Sequence, residues 1–133
     1  MTHCTPAQSL ALKEIGFDKP VKDYIYTGDT GNNINRYFHT LKADNHNADP
    51  LCISQPTPYE VLQWAREKKG IDAWVRPQFD SRLLQLQVVS TSYVGYYTKG
   101  FEVFGKTNNY DTHPEAESAL VWKIIELIKE KKG

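Results

Sequence analysis

Apolar and polar positions along the chain change period several times, and each change marks an element. Turned by ~100° per residue, Ala7, Ala11, Leu12 and Ile15 fall on one side of a helix, and Val61, Leu62 and Ala65 do so further on. Ala116, Leu120, Val121, Ile124, Ile125, Leu127 and Ile128 cover a broader arc, wide enough to lie across a sheet, with Trp122 outside it. Each of these stretches opens with the same device: Thr5-Pro6-Ala7-Gln8, Thr57-Pro58-Tyr59-Glu60 and Thr112-His113-Pro114-Glu115. The threonine hydroxyl accepts from a free backbone N–H three residues on, the Glu or Gln reaches back, and proline sits in the first turn, where its missing N–H costs nothing. Gly16 and Gly70 are the expected stops of the first two helices, and the third runs toward Lys129, Lys131 and Lys132.

Between the helices the period shifts toward two. Lys22 to Tyr26 and Arg36 to Leu41 read as paired strands around a turn-rich Thr27 to Asn33, and Leu51 to Ser54 as a short strand entering the second helix. Ile71, Ala73 and Val75 alternate, as do Leu84, Leu86 and Val88, and Phe101 and Val103. The polar run Lys42 to Pro50 reads as a loop and as the most mobile stretch. The order is helix, two strands, short strand, helix, three strands, helix. It predicts an α+β domain over residues 1–133: a two-layer sandwich, with one antiparallel sheet and three helices packed mainly on one face.

Composition adds little direction. Sixteen basic residues balance sixteen acidic ones, so no global field steers the chain to nucleic acid or an anionic membrane. No run approaches the roughly 18 apolar residues of a membrane span, and the start lacks the order of a secretion signal, so a cytoplasmic protein without a membrane partner is expected. Cys4 and Cys52 are then expected as free thiols.

Ile53-Ser54-Gln55-Pro56-Thr57, Trp64-Ala65-Arg66-Glu67-Lys68-Lys69-Gly70-Ile71 and Tyr110-Asp111-Thr112-His113-Pro114-Glu115-Ala116, with the closing Ile-Ile-Glu-Leu-Ile helix, form a combination of their own. Leu12-Lys13-Glu14-Ile15-Gly16-Phe17-Asp18 goes with it. The combination resembles a family of small uncharacterised proteins encoded by phages and prophages of anaerobic gut bacteria. The resemblance implies that origin and a compact α+β domain, and it brings no catalytic residues with it.

Candidate chemistry is sparse. Asp29-Thr30-Gly31 is the tripeptide around aspartic-protease carboxylates, but it has no second copy and sits among turn formers. His3, Cys4, His39, His46, Cys52 and His113 form no close pair at metal-ligand spacing, so no metal and no cofactor are expected. Cys52 reads as a small apolar side chain, and no nucleophile elbow or phosphate-cradling loop is present. The chain is therefore expected not to be an enzyme. The least ordinary stretch runs from Ser92 to Phe101, where Tyr93, Tyr96 and Tyr97 stand among glycines beside Lys99. Tyrosines offer rigid contact area with a polar tip, so Tyr93, Tyr96, Tyr97 and Lys99, with Trp122, are the candidate binding residues of a tyrosine-rich loop. The expected partner is another protein, with a second copy of the chain among the candidates.

A nucleic-acid-binding module is the alternative, because helix, three strands, helix from Thr57 onward is the order of double-stranded RNA-binding domains. Those domains hold phosphates at the start of the last helix. Here Asp111, Glu115 and Glu117 stand there and repel phosphate, which disfavours nucleic acid as a partner.

Overall fold

The computed structural model describes residues 3–27, 36–79, 90–100 and 103–132. The elements are α1 (Pro6–Glu14), β1 (Val21–Tyr26), β2 (Arg36–Asp44), a 3-10 turn (His46–Ala48), β3 (Cys52–Ser54), α2 (Pro58–Lys69), β4 (Ile71–Phe79), β5 (Ser90–Lys99), β6 (Val103–Tyr110) and α3 (His113–Lys132). The mixed α+β class stands, but in place of one sheet there are two antiparallel three-stranded sheets, ordered β2-β1-β3 and β4-β5-β6. The physical reason lies in β3, which is three residues long and runs into Gln55-Pro56-Thr57-Pro58 and a helix. An edge that short, followed by prolines without N–H donors, gives a further strand almost nothing to pair with.

The helix starts are those of the sequence pattern. Thr5 and Thr57 each close a capping box, with Gln8 and Glu60 respectively. At the third, Glu115 N donates to Thr112 Oγ1 at 3.3 Å, while the hydroxyl donates to Glu115 Oε1 at 2.8 Å. α1 is closed by Gly16 at φ 91°, with Phe17 N donating to Leu12 O and Gly16 N to Lys13 O. That pair of bonds needs a left-handed residue at the stop, which glycine adopts without penalty.

α2 and α3 lie against β4 and against each other, α3 also crosses β5 and β6, and α1 touches β3 and α3. One apolar cluster joins Leu12, Phe17, Val21, Trp64, Ile71, Leu120 and Ile124, so residues beside both sheets share a core. Phe17 and Trp64 meet edge to face at 5.0 Å, and the indole N–H donates to Asp18 Oδ1 at 3.0 Å. Among the described residues no helix is long and apolar enough to cross a membrane.

Two further expectations change. The stretch from Lys42 to Pro50 is not a plain loop: β2 continues to Asp44 and the 3-10 turn follows. Its polar side chains act as bolts. Asn47 Nδ2 donates to Phe17 O at 2.8 Å and Asn47 Oδ1 accepts from Ser54 N at 2.8 Å, while from α1 Lys13 Nζ donates to the Asp49 carbonyl at 3.0 Å. The tyrosine-rich stretch is not a loop either; Tyr93, Tyr96, Tyr97 and Lys99 belong to β5, in register with both β4 and β6. The alternation at Leu84, Leu86 and Val88 and the Asp29-Thr30-Gly31 turn lie outside the described residues.

Candidate functional site

Period-two alternation on β5 separates the aromatic candidates. Tyr97 points under α3, is 9% exposed, and has Lys123 Nζ 5.8 Å from its ring centroid. Tyr93, on the same side, is half-buried and meets His113 edge to face at 5.8 Å. Tyr96 faces the other way, stacked 5.9 Å from Trp74, and its hydroxyl accepts from Gln78 Nε2 at 3.2 Å. Lys99 is half-exposed at the end of β5. Trp122, 40% exposed, borders a separate shallow groove of about 310 Å³ with Lys106, Tyr110 and Lys123. The five candidates therefore occupy four places rather than one. The more exposed apolar surface is on β2, where Leu41 is 96%, Tyr37 58% and Phe38 43% exposed.

A different constellation comes together at the junction of β1, β2 and α2. Asp23 lies between Val21 and Ile25 on the inward side of β1, and cross-strand pairing places His39 opposite it. His39 Nδ1 donates to Asp23 Oδ1 at 2.8 Å, and His3 Nε2 donates to Asp23 Oδ2 at 2.9 Å. An ionised carboxylate only accepts, so both ring nitrogens facing it carry the hydrogen. Partial burial works to raise the Asp23 pKa, but the hydrogen bonds from His39 and His3 outweigh it and hold the carboxyl below its ordinary 3.8.

These three side chains border a hollow of about 480 Å³ that Lys22, Thr57, Tyr59 and Glu60 also line. His3, Thr57 and Tyr59 are shared with a second hollow of about 430 Å³ lined further by Thr5, Gln8, Pro114, Glu117 and Ser118. The starts of all three helices thus meet at the second hollow. Their donors are already engaged: Thr5 N donates to Gln8 Oε1, Gln8 N to Thr5 Oγ1, Thr57 N to Glu60 Oε1 and Glu60 N to Thr57 Oγ1. Gln8, almost wholly buried, also donates through Nε2 to Ser118 Oγ at 2.9 Å, tying α1 to α3.

The thiols are poor nucleophiles. Burial, with Glu60 and Glu117 nearby, pushes the Cys4 thiol up to about 12, and burial with Asp49 raises Cys52. The buried Ser9 and Ser54 hydroxyls lack hydrogen-bond partners. Among the described residues no group of His, Cys, Asp and Glu is arranged to hold a metal ion. His46 is occupied elsewhere, stacked 4.2 Å from Tyr24 with Nε2 donating to Val21 O at 3.1 Å.

The sequence pattern missed His3, Asp23 and His39 as a unit. Its one local trace was the pair of strands around Thr27 to Asn33, which sets Asp23 opposite His39 once the register is known. Comparison with family models, with curated proteins and with solved structures finds no match.

Proposed function

We propose that the chain is a small phage- or prophage-derived accessory protein that works in the cytoplasm through protein contacts, with a second copy of itself as the first partner to test. The observation that supports this reading is β2, an edge strand carrying Tyr37, Phe38 and Leu41 into solvent. Isolated exposed apolar residues are ordinary, but here they stand on a strand with an unpaired edge, Tyr37 on one face and Phe38 on the other against Tyr24, and an edge of that kind is covered at a net gain when another strand docks. The Trp74–Tyr96 stack and Trp122 supply further aromatic surface of the kind that anchors interfaces. Within this reading α2 and α3 over β4, β5 and β6 act as a two-layer platform that holds these surfaces apart.

Multi-angle light scattering tests the reading directly. A mass near twice 15.3 kDa, falling to the single value in Leu41→Asp, is the expected result. A strict monomer at high concentration that also retrieves no partner counts against it.

A second reading, a nucleic-acid-binding module, draws support from the order α2-β4-β5-β6-α3 with both helices against β4. The acidic start of α3, where His113 pairs with Glu117 at 3.4 Å, weighs against it. Fluorescence anisotropy with double-stranded RNA at low salt separates the two readings.

A further inference from the structure

The sheet of β4, β5 and β6 has two sides, and α2 and α3 pack against one of them. Ile71, Ala73 and Tyr97 join Val61, Leu120 and Ile124 in the apolar cluster on that side. Alternation along β4 turns Asp72, Trp74 and Arg76 to the other. Cross-strand pairing sets Trp74 opposite Tyr96 and Tyr96 opposite Lys106, so two rings and a cation form one row across the sheet. In the next row Arg76 is opposite Val94, which is fully buried, and Val94 is opposite Asn109. Trp74 is 39% exposed, and Arg76, Lys106 and Asn109 are exposed.

Charge on this side is positive. Arg76 and Lys106 have no ion-pair partner among the described residues, while the one acid that alternation puts beside them, Asp72, is paired with Arg66 Nε at 3.2 Å. The carboxylates at the start of α3 belong to the covered side, where His113 meets Tyr93. The rings are also set in advance: Trp74 and Tyr96 are 5.9 Å apart with planes 19° from parallel, and Gln78 Nε2 donates to the Tyr96 hydroxyl at 3.2 Å. Order present before binding is not charged to the ligand. An apolar partner docked here would bury two cations without counter-charges, which opposes it. A single strand of nucleic acid meets both demands, offering flat bases to the indole and phosphates to the cations.

We infer that the open side of β4, β5 and β6 binds single-stranded nucleic acid, with a base stacked on the Trp74 indole and backbone phosphates on Arg76 and Lys106. Two strand spacings, about 10 Å, separate Trp74 from Lys106, and two residues along β4, about 7 Å, separate it from Arg76. An extended strand crossing the sheet therefore reaches both cations from one stacked base. Stacking takes any base, so recognition is of the unpaired state rather than of a sequence. A duplex keeps its bases stacked internally and presents only phosphates to this surface. The site is thus distinct from a double-strand contact at the start of α3, and it leaves β2 to protein contact. The inference does not rest on the contact reading.

The test is fluorescence anisotropy of labelled oligothymidylate and oligouridylate with the whole chain at low salt. Both are expected to bind, with an affinity that falls with salt at a slope of about −1.4, two phosphate contacts at ~0.7 each. Trp74→Ala weakens binding about 5- to 150-fold, and Trp74→Phe recovers part of the loss. Arg76→Ala and Lys106→Ala each make the salt slope shallower by ~0.7. Lys42→Ala, exposed on β2 in the other sheet, leaves the affinity unchanged. Should Trp74→Ala fail to fold, Lys106→Glu decides, since that side chain is exposed and its reversal weakens binding more than Lys106→Ala does. No binding at low salt, an unchanged affinity in folded Trp74→Ala, or equal binding of a duplex of the same length overturns the inference. So does displacement of the strand by inorganic polyphosphate or by an acidic peptide at equal charge, since neither brings a base to the indole.

Discussion

Gly95 on β5 supports α3 at a distance no other residue would allow. A Cβ built there stands 2.5 Å from Leu120 Cγ and 2.9 Å from both of its Cδ atoms. The backbone at Gly95 is not left-handed, so the cost of Gly95→Ala is steric: overpacking of about 1–3 kcal/mol, less the ~0.5–1 kcal/mol that alanine gains over glycine within a strand. Overlap wins, and a net loss of about 1–2 kcal/mol is expected. Leu120 is fully buried, so Leu120→Ala removes three carbons worth ~0.8 kcal/mol each and leaves a cavity, which brings the loss to about 3–4 kcal/mol. In the double variant the new methyl occupies the space the leucine vacated. Its overlap vanishes and part of the cavity is filled, so the double should be no less stable than Leu120→Ala alone, a coupling of about 1–3 kcal/mol. Urea denaturation of the four proteins, followed by far-ultraviolet circular dichroism and compared at a common m-value, measures this. Losses that add to within ~0.5 kcal/mol would refute the direct seating of α3 on β5. The seating matters for the second hollow, because Pro114, Glu117 and Ser118 near the start of α3 form one of its walls.

Three other outcomes follow from single contacts. Asp18→Ala leaves the buried Trp64 indole N–H without its acceptor, and should lower stability by about 1–3 kcal/mol in urea, with a shift in tryptophan emission. The Asp23 carboxyl is held below its ordinary 3.8, so its contribution is complete above that value and is lost as the pH falls through and below it. The stability difference between wild type and Asp23→Asn should therefore close on acidification, and a gap that widens toward acid would contradict the arrangement. Moving the Cys4 thiol from 9.0 to about 12 cuts its thiolate fraction about a thousandfold at mildly alkaline pH, so Cys4 should resist an aromatic disulfide reagent until urea is added.

What was legible in the sequence was local. A threonine, a proline and a Glu or Gln at fixed spacing specify a helix start whatever surrounds them, and all three starts lie where the pattern put them. β5 escaped because its core positions do not alternate in polarity: Tyr93, Val94, Tyr96 and Tyr97 are all apolar or aromatic, so no period of two was visible. Tyr97 and Gly95 nevertheless face α3 while Tyr96 faces Trp74, a distinction made by pairing with β4 alone. The split into two sheets depended on how little edge β3 offers, which short apolar runs do not announce. The His3–Asp23–His39 unit was invisible for a related reason. His3 lies twenty residues from Asp23, and the register that brings His39 to it is fixed in space and not by spacing.

Three helix starts gathered at one hollow would ordinarily make it attractive to anions, since each brings unpaired N–H groups and the positive end of a dipole. Here each start arrives with its own acceptors, and Glu117 adds a carboxylate near the start of α3. The field at the second hollow is offset before any ligand enters. The first hollow is balanced in a similar way, with Lys22 set against the carboxylates of Asp23 and Glu60. The groove is thus polar along its length without being cationic.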